Sequence, residues 1–182
     1  LYHEKDIKFI GVRDERTGAH MADGYTRASN QPGVILAGQN GPGATNLVTG
    51  IAQAAAAFSP VVSIAGFIST KDKIQDAFQG IDQQSLFKPI TKKTWTISEV
   101  KKIPKIFSKA FNLAMSPRRG PVQINLPRNI LSETAKFNIN KNEKSYKTID
   151  TTKGKKDDIR KAVKIISSAK KPAVIAGGGI KY

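Results

Sequence analysis

Cysteine is absent from the 182 residues, which excludes disulfides, thiolate metal sites and cysteine nucleophiles. The two histidines, His3 and His20, are too few for a histidine-rich metal site. No apolar run approaches the roughly 18 residues of a membrane span, and no signal peptide is visible. Lacking both cysteine and a targeting segment, the chain reads as cytoplasmic. The first residue is not Met, and Ile180-Lys181-Tyr182 follows directly on a glycine run. The sequence therefore reads as a fragment cut at both ends. Its length suffices for one full domain with a sizeable core and part of another.

What is abundant is positive charge, with a net +16. Its distribution is uneven. Residues 1–87 carry 7 Lys+Arg against 8 Asp+Glu, a balance of −1, and residues 88–182 carry 23 against 6, a balance of +17. The basic half is mostly lysine on helix faces and in a linker, without interleaved aromatics to stack bases. A solvated lysine-rich surface is the better reading, and nucleic-acid binding is a minor alternative.

Apolar runs alternate with helical patterns. Phe9-Ile10-Gly11-Val12 reads as a short buried strand, followed by a helix with Ala19, Ala22 and Tyr25 on one face. Val34 to Ala37 is a second strand, too uniformly apolar for one wet face. A helix from Ala44 to Phe58 ends before Pro60, and Val61 to Ala65 is a third strand. Gly66 to Gly80 reads as a long loop, functional or mobile, and Gln83 to Phe87 as a helical turn. Lys93 to Ile97 has strand character. Ser98 is a plausible N-cap for a helix from Glu99 to Met115, with a short first turn or a kink at Pro104. Gly120 to Pro127 is a further strand, and Trp95 is most simply a core residue. Ser132 to Lys156 reads as a linker. Asp157 to Ala169 is helical again, Lys171 to Ala176 a strand, and Gly177 to Gly179 a turn. The alternation predicts an α/β fold, a parallel sheet covered by helices on both faces.

Four motifs occur in order along this chain. Arg13-Asp14-Glu15-Arg16-Thr17-Gly18-Ala19-His20-Met21-Ala22-Asp23-Gly24-Tyr25-Thr26-Arg27 is the first, and Gly41-Pro42-Gly43-Ala44-Thr45-Asn46 the second. Asp76-Ala77-Phe78-Gln79 is the third, and Gly120-Pro121-Val122-Gln123-Ile124-Asn125-Leu126-Pro127 the fourth. Together they resemble the N-terminal pyrimidine-binding domain of thiamine-diphosphate enzymes of the acetolactate synthase type. The resemblance covers residues 1–131, with the family's first strand and helix missing upstream. Residues 132–156 are then the linker, and residues 157–182 resemble the start of the family's central α/β domain. The fold implied is the pyrimidine-binding fold, truncated at both ends.

The resemblance implies a carboligase or decarboxylase acting on 2-keto acids, a transferase or lyase when full length. Glu15 matches the family's glutamate, which hydrogen-bonds N1' of the cofactor's aminopyrimidine; a carboxyl able to share a proton in a dry pocket suits that task. Taken alone, Glu15 is a first-turn glutamate meeting the helix dipole. Asp14 stands where the family usually has His, and is read as solvent-facing or Arg-paired. His20, five residues beyond Glu15 and about 140° round the helix, is structural or interfacial.

The loop from Gly38 to Gly43 lacks the lysine and Ser/Thr of a phosphate-binding P-loop. The resemblance brings Gly41, Pro42 and Gly43 near the cofactor, where glycine lets backbone approach closely, with Asn46 as a helix-start or site residue. Gln39-Asn40 resembles sulfoacetaldehyde acetyltransferase more than acetolactate synthase, which keeps an enzyme of that kind as an alternative. Phe78 and Gln79, with Gln39, match a substrate or neighbour-subunit site, and Phe78-Gln79 read equally well as a loop with one buried aromatic anchor. A glyoxylate carboligase is disfavoured because that family has an apolar residue in place of Glu15. The implied cofactors are thiamine diphosphate and Mg2+, the latter held by a C-terminal domain absent here; FAD is compatible but not indicated. The implied assembly is a homodimer or tetramer, and no membrane partner is indicated. A non-catalytic binding module keeping the fold is the competing reading from another class.

Overall fold

The computed structural model describes residues 3–138 and 154–177. Its centre is a four-stranded, wholly parallel sheet. In chain order the elements are α1 (Glu15–Ser29), β1 (Gly33–Ala37), α2 (Pro42–Ala56), β2 (Val61–Phe67), α3 (Gln83–Phe87), β3 (Thr94–Thr96), α4 (Ile103–Met115), β4 (Val122–Pro127), α5 (Arg128–Leu131) and α6 (Lys156–Ser168). Short 3₁₀ turns, Lys88–Ile90 and Val100–Lys102, precede β3 and α4. The strand order is β1-β2-β4-β3, so the α/β expectation holds.

Each face of the sheet carries its own core. On one face α1 and α2 bury Ala19, Ala22, Leu47 and Ile51 against Ile35, Ala37 and Ala65 of the strands. On the other, α4 sets Ala110 and Ala114 against Val62, Ile64, Val122 and Ile124. The two helices α1 and α2 touch closely because Gly50 has no side chain: an added Cβ would lie 2.4 Å from the Cβ of Ala19. Central strands β2 and β4 are buried along almost their whole length, as a sheet covered on both faces requires.

Several expectations need correction. Residues 8–12 form no strand, and Phe9, Ile10 and Val12 are exposed. They lie instead across an apolar cavity of about 830 Å³, facing β1 and the α4 rings Phe107 and Phe111. The segment therefore has side-chain neighbours but no ladder to join. For the same reason β1 is not buried on both faces. It has a strand neighbour on one side only among the described residues, and its burial alternates, with Val34 and Leu36 exposed. Tyr25 is exposed, and Thr26, seven residues after Ala19 and so nearly in line with it, takes the buried place.

Ser98 caps no helix. Pro104 lies in the first turn of α4, which begins at Ile103, and the stretch before it is the 3₁₀ turn. Trp95 is half-buried at the margin of the core, with the Lys93 ammonium 5.5 Å from its ring centroid. Lys171 to Ala176 form no strand: no neighbour offers a ladder, and Val174 and Ile175 are exposed. The expected helix after the linker is α6, its apolar residues Ile159, Val163 and Ile166 all exposed. Most of the expected linker, at 139–153, and Gly178-Gly179 lie outside the described residues. At the far end of α4, Lys92 donates to the carbonyls of Leu113 (2.6 Å) and Ser116 (3.2 Å) and to the Ser116 hydroxyl (2.6 Å), closing the helix. Burial lowers the pKa of this ammonium.

Candidate functional site

The carboxyl ends of the strands, where open parallel sheets gather their ligands, carry a cluster of polar side chains. It is built from the starts of two helices. At α1 the backbone of Asp14 is still extended (φ −148°, ψ 133°), and its carboxylate accepts from the Arg16 amide at 2.8 Å, the usual N-cap arrangement. The Arg16 guanidinium lies 3.5 Å from the same carboxylate. Glu15 is the first helical residue, so its side chain leaves the backbone in a different direction from its neighbour's.

At α2 the helix starts on Gly41 and Pro42. Gly41 has φ +56° and no side chain to cap the turn. An added Cβ there would sit 2.4 Å from the Gln79 carbonyl oxygen, so only glycine fits. The first turn of α2 then meets Glu15. The Asn46 amide donates to Glu15 Oε2 at 3.1 Å. Glu15 Oε1 faces Gly43, 3.3 Å from where a Cβ would stand, and the Gln39 side chain flanks the same spot at 3.2 Å. The half-buried Glu15 carboxylate thus lies against the first turns of both α1 and α2, whose partial positive ends favour interaction with an anion.

A second loop closes over the first. The Gln39 amide donates to Gln79 Oε1 at 2.6 Å. The Asn40 amide donates to the carbonyls of Phe78 (3.1 Å) and Gln79 (3.0 Å). Gln79 itself has φ +56°, an uncommon conformation for a residue with a side chain. The structure therefore brings together Glu15, Gln39, Gly41, Pro42, Gly43, Asn46 and Gln79. Phe78 contributes its carbonyl only; its ring is 82% exposed. His20 is exposed on α1, outside the cluster.

Sequence reasoning missed the buried amides beneath these loops. Gln83, Gln123 and Asn125 are each 0% exposed. The signal was present in β4, where Gln123 and Asn125 alternate with Val122, Ile124 and Leu126. A strand covered on both faces buries its polar residues too. Among the described residues no three His, Asp or Glu side chains cluster closely enough to hold a metal ion.

Residues 1–86 match the family model described as thiamine pyrophosphate enzyme, N-terminal TPP binding domain. The chain is 44% identical over 181 residues to the probable acetolactate synthase large subunit of Methanococcus aeolicus, covering 98% of this chain and 30% of that protein. It is 44% identical over 178 residues to the acetolactate synthase large subunit of Buchnera aphidicola subsp. Schizaphis graminum, covering 96% and 31%. It is 39% identical over 177 residues to the acetolactate synthase isozyme 3 large subunit of Escherichia coli K12, covering 95% and 30%. The chain thus spans about 30% of the length of the curated relatives it matches.

Proposed function

We propose, from the match of residues 1–86 to the N-terminal TPP binding domain of the thiamine pyrophosphate (thiamine diphosphate) enzymes, that the chain is part of an acetolactate synthase-like enzyme. It acts on 2-keto acids as a carboligase or decarboxylase, a transferase or lyase. The observation that carries this reading is the Glu15 carboxyl, fixed through Oε2 by Asn46 and turned through Oε1 toward Gly43.

The residues present fit an aminopyrimidine. Glu15 offers a carboxyl oxygen for a proton shared with a ring nitrogen. Gly43 lacks the side chain that would crowd the Glu15 carboxyl, since a Cβ there would stand 3.3 Å from Oε1. In this reading Gly41, Pro42, Gly43 and Asn46 line the ring, and Gln39, Phe78 and Gln79 face the substrate or a neighbouring subunit. Thiamine diphosphate, when bound, supplies a nucleophilic thiazolium carbon for attack on a keto acid. The work of this chain is narrower. Asn46 orients the Glu15 carboxyl, Glu15 holds the proton at the ring nitrogen, and the clamped loops 39–41 and 78–79 limit water around it.

Mg2+ is proposed as a second cofactor, held by residues other than the described ones. Nothing in the cluster calls for FAD. A homo-oligomer is proposed, with Gln39, Phe78 and Gln79 facing the neighbouring subunit. The cysteine-free composition supports a cytoplasmic setting. A sulfoacetaldehyde acetyltransferase-like activity is not favoured, since the relatives named above are acetolactate synthases.

The test is Glu15→Gln in the full-length protein. Thiamine-diphosphate-dependent turnover of pyruvate should fall by at least about 100-fold, with an unchanged circular dichroism spectrum and melting temperature. Retained turnover would remove Glu15 from the chemistry. Pyruvate and sulfoacetaldehyde assayed side by side decide the substrate.

A further inference from the structure

Beneath the clamped loops lies one side chain with ties to two strands of the sheet and to the start of α2. Gln83, the first residue of α3, is fully buried. Its Nε2 donates to the Gly66 carbonyl near the end of β2 (3.1 Å) and to Asn125 Oδ1 on β4 (3.1 Å). Its Oε1 accepts from the Gly41 amide at 3.2 Å. Asn125 in turn accepts from Gln123 Nε2 (3.0 Å) and donates to Thr96 Oγ1 on β3 (3.3 Å). A buried amide is costly unless it is bonded, and this one is bonded at both ends.

The Gly41 bond is the informative one. Helix starts leave amides without partners. Gly41 cannot cap its own helix, and its backbone conformation has to be imposed from outside. Gln83 supplies that partner from the start of α3, itself tied to the central strands β2 and β4. The turn so fixed carries Gly43 and Asn46, the two residues that meet Glu15.

We propose that Gln83 is a positioning residue that locks the start of α2 in register with Glu15, and that cofactor affinity depends on this lock. The second half rests on the reading of the cluster as a thiamine diphosphate site. Gln83 touches neither cofactor nor substrate; it acts through Gly41.

The test uses the full-length protein and two readouts, amide hydrogen exchange and thiamine diphosphate affinity by calorimetry. Gln83→Met keeps the volume and removes the bonds. Ile97→Ala, in the core on the α4 face, is the control for general loss of stability. Gln83→Met should speed exchange across residues 39–46 and weaken thiamine diphosphate binding, each by about tenfold or more. Strands β2 and β4 should keep their protection. Ile97→Ala, assayed well below its melting temperature, should move neither readout.

Unchanged loop exchange with affinity within about twofold overturns the proposal. So does faster loop exchange with unchanged affinity, because the lock would then not serve the cofactor. If the parent protein fails to bind thiamine diphosphate, the functional reading falls, and the exchange data alone decide whether Gln83 holds the loop. If Gln83→Met does not fold, the Gly41 amide of the parent protein decides. Protection on the order of 100-fold in a loop position supports the lock, and exchange at the rate of a free loop overturns it.

Discussion

Asp14 and Glu15 are neighbouring carboxylates with different tasks, because the backbone changes conformation between them. The extended residue turns its carboxylate onto the helix it starts, and the helical one turns toward α2. Asp14 therefore fills a capping role, which explains how a residue other than His is accepted at that place in the motif. Asn caps as well as Asp does, and Ala does not cap. Asp14→Ala should cost about 1 kcal/mol of stability in chemical denaturation. Asp14→Asn should stay within a few tenths of a kcal/mol and leave turnover of the full-length enzyme intact. A large loss of turnover in Asp14→Asn at unchanged stability would instead give this carboxylate a part in the chemistry. At this scale the sequence was readable where a motif fixed several residues at once, as for Glu15, Gly41 and Asn46. It was unreadable where partners come from distant strands. Nothing near Gln83 in the chain points to Gly41, Gly66 and Asn125, which meet it only after the sheet has formed.

Among the elements, the short helix α3 has a task beyond packing. Its five residues follow the N-cap Asp82, whose carboxylate accepts from the Ser85 hydroxyl (2.6 Å) and the Ser85 amide (3.0 Å). These bonds, the hydroxyl first, hold the Asp82 carboxyl below the ordinary aspartate range. A group held low in the folded state stabilises fully above its unfolded value, and that contribution is lost as pH falls through the folded one. The cap should therefore act above about pH 4 and fade below it. Asp82 is largely exposed, so water screens the effect and it remains modest. Asp82→Asn keeps a capping oxygen without the titration. Measured between pH 5 and 2.5 (the approximate span in which aspartate titrates), it should show a shallower local loss of protection across residues 83–87 than the parent chain. Equal pH slopes in the two proteins would mean that the Asp82 charge does not hold α3. Elements that bury one continuous apolar run, such as β2, were legible from the sequence with little error. Elements at a margin were not. The runs at 9–12, 34–37 and 171–176 have strand composition, but only the middle one has a ladder to join, and that on one side.

Among the described residues the sheet of the whole molecule ends in two edge strands, β1 and β3. Strand β1 pairs with β2 alone, so the backbone groups of its other side have no ladder partner among the described residues. Val34 and Leu36 are exposed beside that edge, and Phe9, Ile10 and Val12 are exposed across the cavity from them. An apolar, unblocked edge strand invites pairing with another chain, and a contiguous apolar patch adds a driving force for association. The net charge of +16 works against association, but the balance of −1 over residues 1–87 leaves this part of the chain without that protection. Salt, which screens repulsion within a Debye length of about 8 Å at physiological strength, should expose the tendency further. The 182-residue chain alone should therefore self-associate at micromolar concentration, more so as salt is raised, and should bind an apolar dye. Val34→Lys combined with Leu36→Thr places a charge and a hydroxyl on the exposed face and leaves Ile35 and Ala37 in the core. Light scattering after size exclusion should then show a shift to monomer with dye binding reduced. A parent chain already monomeric in high salt, or a double variant that associates as strongly, would mean that the open edge of β1 does not govern the behaviour of the isolated chain.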